Sequence, residues 1–230
     1  MLVTCEEMSA AERRLFSTGV DPEPYMDRAG RRCADAVSHF FPEPASAEVF
    51  CGRGNNGGDA LVVAHHLKVR GWRITLHFSG APENLPELPA KKLSEFLATP
   101  EPNHCRAGDR LVLIDGILGI GARGALRGTA RELAERINQL RHDNFATCFA
   151  IDIPSGLDAD SGVPRENSVV ADFTLSITAA KTGFAADGAV NHVGRLVEIP
   201  LAIPVTEGDP SRSFLFPSTL RRRLPRRRFD

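Results

Sequence analysis

The sequence is short of most features that would place a protein at sight. No apolar run approaches the roughly 18 residues of a membrane span, and residues 1–20 are too charged for a secretory leader. Cysteines are few, with Cys5, Cys33, Cys51, Cys105 and Cys148 scattered, odd in number and without C-x-x-C spacing. That excludes zinc fingers, dithiol redox motifs and a secreted disulfide framework. Charge of one sign is lacking too, since the formal net charge is −1, so the body is not built to hold nucleic acid or an anionic membrane surface. There is no internal repeat. What remains is a cytoplasmic protein of 230 residues, with 42% hydrophobic and 25% charged residues, long enough for one large α/β core or at most two small ones.

What is present is alternation. Thr4 and Glu7 form a capping box ahead of Met8, Ala11 and Leu15, which share one helix face. A second helix is expected after Pro22, through Met26, Ala29, Cys33 and Val37. Apolar runs at 48–51, 72–78, 110–115, 146–153, 169–177 and 193–199 read as strands. Helices are expected over 59–70, near 89–98, and after Thr129, capped with Glu132 and carrying Leu133, Ile137 and Leu140 on one face. Strands alternating with helices predict βαβ units and a mostly parallel, doubly wound sheet. The Pro-rich stretches 82–89 and 200–217 read as loops.

In such sheets ligands bind beyond the carboxyl ends of the strands, and three strand ends there carry unusual residues. The first is Gly52-Arg-Gly54-Asn55-Asn56-Gly57-Gly58-Asp59, whose glycines and following helix N-terminus suit a phosphate-bearing ligand. It contains G-x-G-x-x-G, but an ordinary dinucleotide site also needs an acid at the end of the second strand, where His77-Phe78-Ser79-Gly80 has none. The second is Asp115-Gly-Ile-Leu-Gly119-Ile-Gly121-Ala-Arg-Gly124, a loop able to lie against something flat or anionic. The third is Asp152-Ile-Pro154-Ser155-Gly156. Taken singly, each could be an ordinary turn, since Asn-Gly, Asp and Pro-Ser-Gly all favour turns. Side by side, they bring one amide cluster, two carboxylates and a hydroxyl to one crevice.

Other signals fail. Lys181-Thr182 has no P-loop glycines before it, and Asp158-x-Asp160 has valines where a calcium loop needs Gly and Glu. His65 and His66 are adjacent and face different ways on a helix, and no G-x-S-x-G elbow exists. The six arginines of residues 221–228 have no stacking aromatics among them and read as a solvated linker.

Together GRGNNGGDALVVAHHL, LVLIDGILGIGARGALRG and AIDIPSGLDADSG closely resemble the NAD(P)HX epimerases, the YjeF N-terminal domain family. The opening TCEEMSAAERRLF…PYMDRAGRRCADAV is similar to that family's two leading helices, and ADFTLSITAAKTGF…GRLVEIP to its last strands. The resemblance implies a Rossmann-like three-layer αβα sandwich behind two N-terminal helices. It implies an isomerase that interconverts the R and S forms of NADH or NADPH hydrated at C6 of the nicotinamide, so that a dehydratase can restore the cofactor. Asn55, Asn56, Gly57, Gly58, Asp59, Gly119, Ile120, Gly121, Ala122, Arg123, Gly124, Ala125 and Asp152 would contact the hydrated dinucleotide. Asn56, Asp115 and Ser155 would hold one potassium ion (K+) per subunit, a choice that suits their hard oxygens. Pairing into a homodimer through the leading helices is also a family expectation. The domain would span 1–217, with 218–230 a basic linker toward a fused dehydratase domain.

The chemistry favours a carboxylate. A hydroxyl on C6 beside N1 is a carbinolamine, and inverting it needs proton transfer at that oxygen but no electron acceptor. Asp152 is the candidate acid/base, and Lys181 a second catalytic candidate that could orient the nicotinamide amide or a phosphate. Two rivals stand beside this reading: a non-catalytic nucleotide-binding scaffold on the same fold, and an NAD-dependent oxidoreductase. The first leaves Asp152, Asp115 and Asn56 without employment, and the second lacks its ribose-binding acid.

Overall fold

The computed structural model describes residues 2–102 and 110–205. The elements run β1 (Leu2–Val3), α1 (Cys5–Phe16), α2 (Glu23–Phe40), β2 (Ser46–Cys51), α3 (Asn55–Val69), β3 (Arg73–Phe78), α4 (Glu87–Ala98) and β4 (Leu111–Gly116). They continue with α5 (Gly128–Asp143), β5 (Thr147–Ile151), β6 (Phe173–Ile177), β7 (Ala180–Lys181), α6 (Val190–Val193) and β8 (Arg195–Ile199). Six strands form one sheet in the order β3-β2-β4-β5-β6-β8, and every pairing is parallel. The three expected strand ends therefore do lie on neighbouring strands, with Cys51 opposite Gly116 and Asp115 opposite Ala150.

Each central strand buries both faces, which is why the runs read as nearly continuous apolar segments. Alternation still decides the side. Val49, Cys51, Val112, Ile114, Phe149 and Ile151 pack with residues of α2 and α3, among them Cys33, Val37, Leu61 and Leu67. Phe50, Leu113, Cys148 and Ala150 face the other way, onto Ala134, Ile137 and Leu140 of α5. Helices on both sides of a parallel sheet give the three-layer sandwich that was expected.

Several boundaries differ from the expectation, each for a local reason. The Thr4–Glu7 capping box forms in both directions. At α5 the helix starts one residue before Thr129, behind Arg127, and has no side-chain cap; Thr129 is already inside the first turn. The helix expected from residue 59 begins at Asn55, because Asn-Asn-Gly-Gly is its first turn and not a loop before it. Residues 82–89 are not loop throughout, since a 3₁₀ turn at Pro82–Asn84 leads into α4. The run 146–153 stops as a strand at Ile151, and 169–177 forms one only from Phe173. A two-stranded sheet, β1 beside β7, pins the N-terminus next to Lys181, a pairing too short to leave a periodic signal. Among the described residues no helix is long and apolar enough to cross a membrane. The stretch 206–230, with the arginine run, lies outside the described residues.

Candidate active site

The site is built from loops that touch at backbone distance. A Cβ on Gly52 would lie 1.8 Å from the Ile117 carbonyl oxygen, and one on Gly57 would lie 2.0 Å from the Gly52 carbonyl oxygen. Only glycine lets the loop after β2 close on the loop after β4 and on the start of α3. Gly58 packs against the Met26 side chain in the same way. Side-chain hydrogen bonds complete the join. Asn56 Nδ2 donates to the Leu118 carbonyl at 2.9 Å, and Leu118 N–H donates to Ser155 Oγ at 3.0 Å. The Ser155 hydroxyl donates to Asp115 at 2.6 Å, and Ser155 N–H donates to the other Asp115 oxygen at 2.8 Å. Asn56, Asp115 and Ser155 thus stand in one connected network at three adjacent strand ends.

Asp115 is completely buried, and burial pushes its carboxyl up to about 6 despite bonds from Ser155 and from Ile117 N–H. Among the described residues no cationic side chain contributes to its environment. A buried acid held only by neutral donors is costly as an anion, and a bound cation would remove that cost. Among the described residues there is no cluster of three or more His, Cys, Asp or Glu side chains fit for a metal. The donors here are of another kind, one carboxylate with an amide and a hydroxyl.

Asp152 and Lys181 were separate expectations, an acid/base and a group to orient the nicotinamide amide or a phosphate; the structure joins them directly. Lys181 Nζ is wholly buried and donates to Asp152 Oδ1, to the Ile177 carbonyl at 3.1 Å and to the Ala179 carbonyl at 3.0 Å. The same Asp152 oxygen accepts the Ile177 N–H at 3.0 Å. Lys181 is therefore a fully satisfied ammonium clamped on Asp152, not a surface turn lysine. Two strained turns set this geometry. Asp152 has φ +63° and Thr178 φ +66°, and each is the centre of a three-residue turn closed by an i to i+2 hydrogen bond, Ile153 N–H to Ile151 O and Ala179 N–H to Ile177 O. A β-branched or acidic residue held at positive φ costs of order 1–3 kcal/mol, and such strain concentrates where a side chain must be aimed.

A cavity of about 540 Å³ opens over this floor, walled by Asn55, Asn56, Asp59, Ile117–Ala122, Asp152 and Lys181. A recess of about 120 Å³ beside it takes in Arg123 and Gly124 and runs along Ile153, Pro154 and the stretch from Gly156 to Asp160. Gly54 and Gly121 face it differently from Gly52, for a Cβ on either would meet nothing within 4 Å. Of the residues expected to touch ligand, Gly57 and Gly58 pack inward, and Ala125 is exposed and lines neither space. The sequence reading missed Met8, Ser9 and Glu12, which α1 contributes as one wall, and Ser79 after β3. Burial, then the Asp152 carboxylate, raises both Glu12 and Asp59 above the usual carboxylate range. A signal for Glu12 was available: it sits beside Ala11 and one turn after Met8, on the inward edge of α1.

Comparison with known proteins shows what the chain as a whole is similar to. The family described as YjeF-related protein N-terminus matches residues 22–183. An NAD(P)H-hydrate epimerase of Rhodopirellula baltica is 32% identical over 78% of this chain and 75% of its own length. One of Bordetella bronchiseptica is 33% identical over 83% of each. A bifunctional NAD(P)H-hydrate repair enzyme of Pyrobaculum aerophilum is 34% identical over 88% of this chain, which spans only 42% of that protein. The crystal structure of the yeast protein ynu0 superposes with a TM-score of 0.70 at 21% identity, covering 86% of this chain and 87% of that one, a likeness of fold.

Proposed function

The chain belongs to the YjeF-related N-terminal family, and from that premise we propose that it is an NAD(P)H-hydrate epimerase acting in nicotinamide-cofactor repair. The observation that carries the reading is the buried Asp152–Lys181 pair opening into the same cavity as both glycine loops. The substrate carbon C6 bears a hydroxyl and is bonded to N1, so its configuration is lost when the C–O or the C–N bond opens. Either route needs a proton moved at the hydroxyl oxygen, and Asp152 would be the group that moves it. Lys181 keeps Asp152 aimed and supplies positive charge next to a ring that carries an amide. The loops around Asn55–Asp59 and Gly119–Gly124 would hold the dinucleotide, the glycines leaving room for its pyrophosphate.

Asn56, Asp115 and Ser155 would hold potassium. Their oxygens suit a hard monovalent cation, and among the described residues Asp115 has no positive partner. There the ion would fix the joined loops and keep Asp115 ionised. Withdrawing potassium in favour of a large organic cation should weaken dinucleotide binding by about tenfold or more, near 1.4 kcal/mol. Titration calorimetry in the two buffers checks this, and equal affinity contradicts the ion's role.

Proton NMR tests the function itself. Adding the protein to purified R-NADHX should produce the S epimer until equilibrium, with no change in the absorbance that reports oxidation. No interconversion would refute the reading. The absence of an acid after β3, where Ser79 and Gly80 stand, sets this crevice apart from an oxidoreductase site.

A further inference from the structure

One ionisable group in the crevice is left unused by this account. Glu12 projects from α1 into the cavity over Asp152, and it also lines an adjoining apolar chamber of about 440 Å³ walled by Phe16, Tyr25, Met26 and Ile203. Asn55 and Asp59 line both spaces as well, so Glu12 stands where the two meet. Acids on the inward edge of a helix normally find a donor. Among the described residues Glu12 has none: burial and the Asp152 carboxylate raise it, Lys181 lowers it, and no hydrogen bond enters. Asp152, by contrast, accepts from the Lys181 ammonium and from the Ile177 N–H. The two carboxyl groups therefore share one cavity in unlike surroundings, Asp152 bonded to a cation and Glu12 among apolar walls without a donor.

Epimerisation asks for such a pair. If the hydroxyl leaves C6 from one face and water returns on the other, one group must protonate the departing oxygen and another must deprotonate the arriving one. Resting on the epimerase reading above, we infer that Glu12 is a second catalytic residue, the general acid that works across the crevice from Asp152. The protonated Glu12 gives its proton to the C6 hydroxyl, and the C6–O bond breaks with its electron pair leaving on water. The N1 lone pair forms the N1=C6 double bond of a planar cation. Water on the Asp152 side then adds to C6, the double-bond pair returns to N1, and the proton released from that oxygen passes to Asp152. Glu12 regains a proton and Asp152 loses one by exchange with solvent, so no electrons are gained or lost. The reverse epimer runs the same steps backward. The Glu12 carboxyl must reach the ring, and the cavity that it shares with Asp152 provides the space.

The test is Glu12→Gln, which keeps the shape and hydrogen-bonding capacity of the protonated acid but cannot release a proton. Epimerisation followed by NMR should show kcat lower by about 10²-fold, with KM within about threefold of wild type. Glu12→Asp, one methylene short, should recover at least part of the rate, which a packing role would not give. Glu12→Leu suits the apolar surroundings and is the reserve variant should the Gln protein not fold; it should lose as much rate. A folded Glu12→Gln or Glu12→Leu protein with kcat near wild type overturns the assignment. So does a loss carried by KM, or an Asp variant no better than Gln. Wild-type protein that fails to interconvert the epimers defeats the epimerase reading first, and is told apart from a Glu12 failure because the variants are then not at issue.

Discussion

Two sets of glycines border the crevice, alike in sequence and different in what makes them glycine. After β2, Gly52 and Gly57 are glycine because the protein's own backbone fills the space where a Cβ would go. After β4, Gly121 has no protein atom within 4 Å of that position and borders the open cavity. Each loop carries both kinds, Gly54 standing open beside Gly52, and Gly116 packed on Asn56 and Ala60 beside the open Gly121. A run of glycines thus states that something must come close, and only the structure says whether that something is the chain itself.

This contrast can be broken by substitution. Gly52→Ala should have the largest effect, because its methyl meets a carbonyl 1.8 Å away and one loop must move. A loss of more than about 4 kcal/mol, or no folded protein, is expected in urea unfolding. A stable Gly52→Ala protein would show that the loops are not locked together. Lys181→Met tests the floor beneath them. It leaves Asp152 buried without its cation, which should cost about 3–5 kcal/mol by the same measurement. An unchanged midpoint would mean that the pair adds nothing to stability. Gly121→Ala should be the mildest, within about 0.5 kcal/mol of wild type in stability. Yet it should weaken dinucleotide binding by about tenfold, since its methyl occupies space the ligand needs. If Gly121→Ala instead unfolds the protein, the space beside Gly121 is open in appearance only.

Legibility in the sequence followed the same division. The sheet strands were readable because buried parallel strands are almost wholly apolar, and the three strand-end motifs were readable because glycines, amides and aspartates cluster directly after them. The start of α3 was not, since Asn-Asn-Gly-Gly has turn chemistry, and only packing against Gly52 and Met26 makes it the first helical turn. The Asp152–Lys181 pair was half readable: both residues stood out, but their contact spans 29 positions and depends on two positive-φ turns at residues that are neither Gly nor Asn. The pairing of β1 with β7, which helps bury Lys181, has only two residues a side and no pattern to betray it. Glu12 was hidden by the ordinary look of an amphipathic helix, where one acid more at the edge of the apolar face passes for a solvated one.

The central claim is that Asp152 moves a proton and is not merely the centre of a strained turn. Asp152→Asn keeps the shape and the Ile177 contact but cannot accept a proton as a carboxylate does. Melting temperature, dinucleotide affinity and the rate of R-to-S interconversion should be measured on one preparation of this variant. The expected result is a protein still folded but with a lower melting temperature, because buried Lys181 loses its counter-ion. It should bind nearly as well as wild type and epimerise about 10²- to 10⁴-fold more slowly, a loss of roughly 3–5 kcal/mol in transition-state stabilisation. A folded, binding-competent Asp152→Asn protein that epimerises at close to the wild-type rate would contradict it.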